Sequence, residues 1–167
     1  MDVVFRKAVP ADAPAMASLI VLAWQKAYRG ILSDELLNNR SAESGAQRIY
    51  EGIQTRPEFR YYVLEQEKRI AGVSVVCPSS DEDMPDAVAI QVFYVHPDLQ
   101  RQGLGRVLMR HTLQTIQAEG DRRILLWVLT ENHAARAFYE AMGFAHDGAE
   151  KTLPSLENAH TVRYRLR

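Results

Sequence analysis

The chain holds a single cysteine, Cys77, among 167 residues. One thiol excludes a disulfide framework and any cysteine-based metal site. No sign of charge dominates, with 20 Lys and Arg against 21 Asp and Glu and a net charge of −1. The basic excess of a nucleic-acid binder is therefore missing, as is the polybasic cluster of a membrane-surface protein. The longest apolar stretch of the first third, Ala13 to Trp24, runs 12 residues and is too short to span a bilayer. The five histidines (His96, His111, His133, His146 and His160) have no ligand-like spacing, so no metal is expected. The opening Met1-Asp2-Val3-Val4-Phe5-Arg6-Lys7 lacks the layout of a signal peptide, and a cytoplasmic location is the expectation.

The length is that of one domain, 1–167, and 47% apolar with 25% charged residues is a globular balance. Val3 to Val9 reads as a strand. Asp12 and Pro14 open a helix that runs to Tyr28 and stops at Gly30. Short helices follow from Ser33 and over Glu43 to Gln54. Tyr61 to Glu65 and Arg69 to Cys77 form a hairpin that turns at Glu67-Lys68. Ser79 to Asp86 carries four acidic residues and a proline, the composition of a solvated loop or of a lure for a cationic substrate.

Ala87 to Val95 and Ile124 to Leu129 are nearly continuous apolar runs, suited to strands covered on both faces. Between them Gly105 to Ala118 is helical, which makes a βαβ unit. Its polar residues Arg106, Arg110, Gln114 and Gln117 fall on one stripe, so the helix is expected to be buried on most sides. A last helix spans Asn132 to Met142 and ends at Gly143. Strands over Phe144 to Thr152 and Thr161 to Leu166 close the chain. The expectation is an α/β (α+β) domain whose mostly antiparallel sheet contains one parallel crossover.

Gln100-Arg101-Gln102-Gly103-Leu104-Gly105-Arg106 joins the first apolar strand to its helix. It lacks the third glycine of a dinucleotide fingerprint, since Leu108 stands there, and it lacks the Gly-Lys-Ser/Thr of a phosphate-binding P-loop. It reads either as a plain turn needing positive φ or as a cradle for a pyrophosphate, where glycine backbone and a helix N-terminus meet an anion. A second cluster follows the other apolar strand. Asn132 and Tyr139 lie seven residues apart, two turns or about 10 Å along one helix face, with Ala135 between them. By themselves they also read as a helix cap and a core aromatic.

Together, Val95-His96-Pro97, Gln100-x-x-Gly103-x-Gly105 and Asn132-x-x-Ala135-x-x-x-Tyr139-x-x-x-Gly143-Phe144 resemble the GNAT superfamily of acyl-CoA N-acyltransferases. Phe5-Arg6-Lys7-Ala8 with Asp12 fits that family's opening strand and helix, so the resemblance runs nearly the whole chain. It implies a sheet with splayed central strands and helices on both faces. It implies acetyl-CoA as co-substrate, its pyrophosphate on Arg101, Gln102, Gly103, Leu104, Gly105 and Arg106. The pantetheine arm would run along Phe93, Tyr94 and Val95, contacting Asn132, Ala135 and Phe138. Val95 N–H would polarise the thioester carbonyl, and Tyr139 would protonate the leaving thiolate.

The family's usual acidic base position holds Gln91, which leaves Glu131, His96 or a water chain as alternatives. Cys77, in an apolar strand, reads as a buried small hydrophobe, so direct transfer is expected over an acyl-cysteine. The acceptor, a small-molecule amine or a peptide, would meet Trp24 and Tyr28, which share a helix face at i, i+4 and by themselves read first as core aromatics. A non-catalytic acyl-CoA sensor is the alternative to an enzyme. Dimers are frequent among such proteins, and the sequence does not choose an oligomeric state.

Overall fold

The computed structural model describes residues 2–120 and 122–167. One seven-stranded sheet organises it: β1 (Val3–Lys7), β2 (Arg60–Gln66), β3 (Arg69–Pro78), β4 (Val88–Val95), β5 (Ile124–Leu129), β6 (Phe144–Leu153) and β7 (Ala159–Leu166), in the order β1-β2-β3-β4-β5-β7-β6. Among the strands of the described residues only β4 and β5 pair in parallel; every other strand pairing is antiparallel. Five helices accompany it: α1 (Ala13–Tyr28), α2 (Asp34–Asn38), α3 (Ala42–Thr55), α4 (Leu104–Ala118) and α5 (His133–Ala141).

Strand alternation sends neighbouring residues to opposite faces, and the helices divide accordingly. Val63 and Val73 meet Met16, Ile20 and Ile49 of α1 and α3 on one face. Tyr62 and Val76 meet Met109 and Ile116 of α4 on the other. The buried Ser74 hydroxyl is satisfied across that second interface by Thr112, 2.9 Å away. Helices thus cover both faces, as the resemblance implies. The β2–β3 hairpin turns where expected, with Gln66 paired to Arg69 and with Glu67 and Lys68 at φ 51° and 62°. Two successive residues in that conformation make the tight turn whose twist matches the strands.

Several sequence expectations shift. Helix α4 begins at Leu104, one residue early, because Gly103 at φ 81° serves as its N-cap. It buries Leu104, Leu108, Met109, Thr112 and Ile116, one face rather than most of its circumference. Asp12 stands at the start of α1 but does not cap it. Its carboxylate accepts from the Val9 N–H and pairs with Arg6 at 2.7 Å, fastening the β1–α1 connection instead.

The acidic loop is not simply solvated. Met84 within it is 3% exposed and packs with Ala87 and Leu125 on the part of the sheet that α1 and α3 leave bare. Asp81 and Asp83 bind the buried Arg163 of β7, which also holds Asp147. Two of the loop's four carboxylates are thus tied into the fold, while Glu82 and Asp86 are exposed.

Candidate active site

Strands β4 and β5 pair only at Val88–Ile124 and Ala89–Leu125, then part. A bulge drives the parting. Val75 lies opposite Val92 and Val76 opposite Ile90, so Gln91 is an extra residue in β4. An extra residue bends its strand and strengthens the local twist. Beyond the bulge the apolar run Val92 to Val95, expected to be covered on both sides, is only half-buried. The gap opens a cleft of about 840 Å³.

The free edge of β4 offers backbone groups to that cleft. His96 donates its N–H to the Ala71 carbonyl on β3. Alternate N–H groups of a strand point to opposite sides, so the Val95 N–H points to the side β5 has vacated. Phe93 and Val95 line the cleft on the α4–α5 side; Tyr94, Gln91 and Trp127 also face it.

At one end lies the glycine loop. Arg101 and Gly103 both have positive φ, 69° and 81°, and such backbone turns successive N–H groups into a concavity. No side chain caps α4, so the N–H groups of its first turn lack a partner within the helix. Gly103 has open space around it and is needed for its φ, whereas a Cβ on Gly105 would stand 3.3 Å from the Phe138 ring. Gly105 is thus what lets α5 approach α4. Gln100, Arg101, Gly103, Gly105 and Arg106 line the cleft. Gln102 and Leu104 do not, the Leu104 side chain being buried against Leu64, Ala71 and Leu108.

Helix α5 forms the opposite wall. Asn132 caps it, its Oδ1 accepting the Ala135 N–H at 3.3 Å, and also lines the cleft, so cap and wall are one residue. Ala135, Phe138 and Tyr139 complete that wall. Tyr139 is held by ring contacts to Phe93, Phe138 and Phe144 at 6.3, 5.6 and 6.1 Å. Its phenol makes no hydrogen bond among the described residues. Lost hydration, and secondarily the nearby Tyr28, push its pKa well above the usual tyrosine range.

On the α1 side Tyr28 lines the cleft and its hydroxyl meets that of Tyr94 at 3.2 Å; burial raises both phenols. Trp24 does not line it. It is 4% exposed, packed with Leu32, Leu37 and Leu129, and belongs to the core. Glu131 and His96 also stay outside the lining, and His96 Nδ1 accepts the Asp98 N–H. Among the described residues no carboxylate lines the cleft; its charged groups are Lys26, Arg101 and Arg106. Cys77 is buried away from it, and burial raises its thiol pKa.

Sequence reasoning missed Trp127, a wall residue held by an Nε1–H bond to Asp81 and by Lys151 over its ring at 3.9 Å. Its signal was a lone indole in an otherwise aliphatic strand.

An open parallel junction, an anion-seeking loop at one end and a phenol at its side are the parts a transferase needs to hold a phosphate-bearing donor and reach its far end. The chain matches the model of the acetyltransferase (GNAT) family over residues 17–144, and it belongs to that family. It is an N-acetyltransferase by class.

A probable N-acetyltransferase of Mycobacterium tuberculosis is 29% identical over 164 residues, 96% of this chain and 91% of that protein. The ribosomal protein bS18-alanine N-acetyltransferase of Escherichia coli is 46% identical over 50 residues, 30% of this chain and 34% of that protein. In fold the chain resembles the PaiA N-acetyltransferase of Thermoplasma acidophilum, solved in complex with coenzyme A. The TM-score is 0.76 at 16% identity, with 98% of each chain covered. Among the described residues no helix is long and apolar enough to cross a membrane.

Proposed function

We propose that this chain, acting as a single cytoplasmic domain, moves an acetyl group from acetyl-CoA directly to a primary amine. The observation that carries the proposal is the parting of β4 from β5, which leaves a strand edge, a cradle and a phenol around one slot. The uncapped N-terminus of α4 and the positive-φ loop before it suit a pyrophosphate held by Arg101 to Arg106, chiefly through backbone. The edge at Phe93 to Val95 suits an amide-bearing arm, with Asn132, Ala135 and Phe138 along its other side. Bound there, acetyl-CoA supplies an activated thioester.

The Val95 N–H is the donor for the oxygen on which negative charge develops. Tyr139 is the general acid that returns a proton to the departing thiolate. Its surroundings raise the phenol, but they withdraw water from a thiolate as well, so both partners shift the same way. Because the phenol stays protonated across the working range, activity has no alkaline fall from this group below about pH 10.

No carboxylate stands ready as a base, so the amine must arrive neutral or lose its proton to water. A chain-terminal α-amine is roughly one-third neutral at pH 7.5, a lysine-type amine about a thousandth. Activity on the latter should therefore climb about tenfold per pH unit up to the amine's own pKa. Acetyl-CoA-dependent thiol release over a panel of polyamines, aminoglycosides, amino acids and peptides tests the proposal. Release with one class supports transfer. Release no greater than the amine-free background, from protein that binds acetyl-CoA, favours the second reading, a sensor, which the missing carboxylate also supports.

A further inference from the structure

Five described arginines are not exposed: Arg6, Arg40, Arg60, Arg136 and Arg163. Four of them have their donors engaged. Arg6 binds Asp12 and Glu65, and Arg60 binds Glu119. Arg136 donates to the Thr130 carbonyl and the Tyr164 hydroxyl, and Arg163 holds three aspartates. Arg40 alone makes no hydrogen bond or ion pair among the described residues. A guanidinium carries five N–H donors in a fixed fork; those of Arg40 are not sealed from solvent and have no acceptor from the described residues, so they are open to a ligand. Burial lowers its pKa, and the neighbouring Arg48 adds to the effect.

The setting of Arg40 points to what would satisfy it. It lies between α2 and α3, outside the cleft lining itself, with its guanidinium carbon over the Trp24 ring at 4.4 Å. Trp24 meets the edge of Tyr28 at 5.6 Å, and Tyr28 joins Tyr94 at the cleft. The charge of Arg40 is felt at both phenols. This is the α1 side of the splayed sheet, across from α4 and α5. Lys26 lines the cleft there, and no acidic side chain answers it. Among the described residues that line the cleft, none carries a carboxylate for a cationic acceptor to pair with.

We propose that Arg40, planted on Trp24 beside the Tyr28–Tyr94 pair, binds a carboxylate of the acceptor, so that the amine acetylated by this protein is an aminocarboxylate. The inference rests on the transferase reading above and adds the acceptor's class to it. A planar carboxylate matches the fork with two parallel hydrogen bonds. The carboxylate can be the α-carboxylate of a free amino acid or an acidic side chain next to a peptide's terminal amine.

The test is acetyl-CoA-dependent thiol release with matched acceptors on the full chain. One arm pairs free amino acids with their carboxamides, with rates compared per neutral amine because the carboxylate makes the neighbouring amine more basic. The other pairs peptides bearing Asp at the second position with the same peptides bearing Asn. The expected result is a kcat/KM at least about tenfold higher for the carboxylate member of one arm, which identifies the source. Arg40→Gln should bring that member down to the level of its amide, chiefly through KM, while the KM for acetyl-CoA holds and reports an intact fold. Arg40→Lys should recover part of the preference. Equal use of the two members in both arms, a preference that survives Arg40→Gln, or better use of a phosphate-bearing amine would overturn the inference and leave transfer standing. No release with any amine would overturn the transferase reading and the inference with it.

Discussion

Two arginines of this protein sit beside its two tryptophans, and they do opposite things. Arg163 lies 5.7 Å from the Trp127 ring with its side chain 6% exposed, and Asp81, Asp83 and Asp147 all bind it within 3.1 Å. Arg40 lies 4.4 Å from the Trp24 ring with no carboxylate on it. The first is a closed knot that ties the β3–β4 loop to the last two strands and backs the cleft wall at Trp127. The second is open. Arg163 has its partners built into the fold, whereas Arg40, whose donors are not sealed from solvent, has none among the described residues.

The largest effect that would sharpen this contrast is on stability at the closed site. Arg163→Met keeps the volume but strands Asp81 and Asp147, whose side chains are 12% and 10% exposed. The expected loss is about 3–5 kcal/mol in urea unfolding. Loss below 1 kcal/mol would mean that the knot is not closed in solution.

Next is acid sensitivity. Hydrogen bonds from Arg163 hold the Asp83 carboxyl below the ordinary aspartate range, and Arg6 does the same for Asp12. A lowered folded pKa gives stability that is fully present above the unfolded value, about 3.9, and is lost as pH falls through the folded one. Unfolding midpoints should therefore hold at neutral pH and drop below about pH 5. Arg163→Met should flatten that drop.

A smaller change is expected at Gln91, the bulge residue on the cleft. Gln91→Glu should raise turnover of high-pKa amines at pH 7 by up to about tenfold, since it supplies the missing base; no change would indicate that water already does so. The smallest effect is on the stability of Arg40→Gln. With no partner to lose, it should stay within about 0.5 kcal/mol of the parent, and a loss as large as that of Arg163→Met would erase the contrast.

The strands, helices and βαβ unit were legible because apolar period and glycine position reflect local backbone demands. The loop and α5 residues that line the cleft stood out as a family pattern at fixed spacing. The two arginines were not. Arg163 alternates with Val162 and Tyr164 in a strand and reads as an outward charge. Its aspartates lie 82, 80 and 16 residues away, and only the sheet's register brings them together. Arg40 follows two asparagines in a turn, with no period or motif around it. Trp24 and Tyr28 share a helix face in sequence, yet only Tyr28 reaches the cleft, because Leu32 and Leu37 fold back over Trp24. The half-exposed Val92 to Val95 looked like core for a related reason: an apolar run looks the same whether a neighbouring strand or a ligand is to cover it.

The central claim is that the cleft between β4 and β5 is where acyl transfer occurs, with Tyr139 as its acid. The most direct measurement is single-turnover thiol release by Tyr139→Phe, with acetyl-CoA binding measured alongside. The account predicts a fall of about 10²-fold or more in the rate with acetyl-CoA affinity within a factor of about three of the parent. An unchanged rate at unchanged affinity would contradict it.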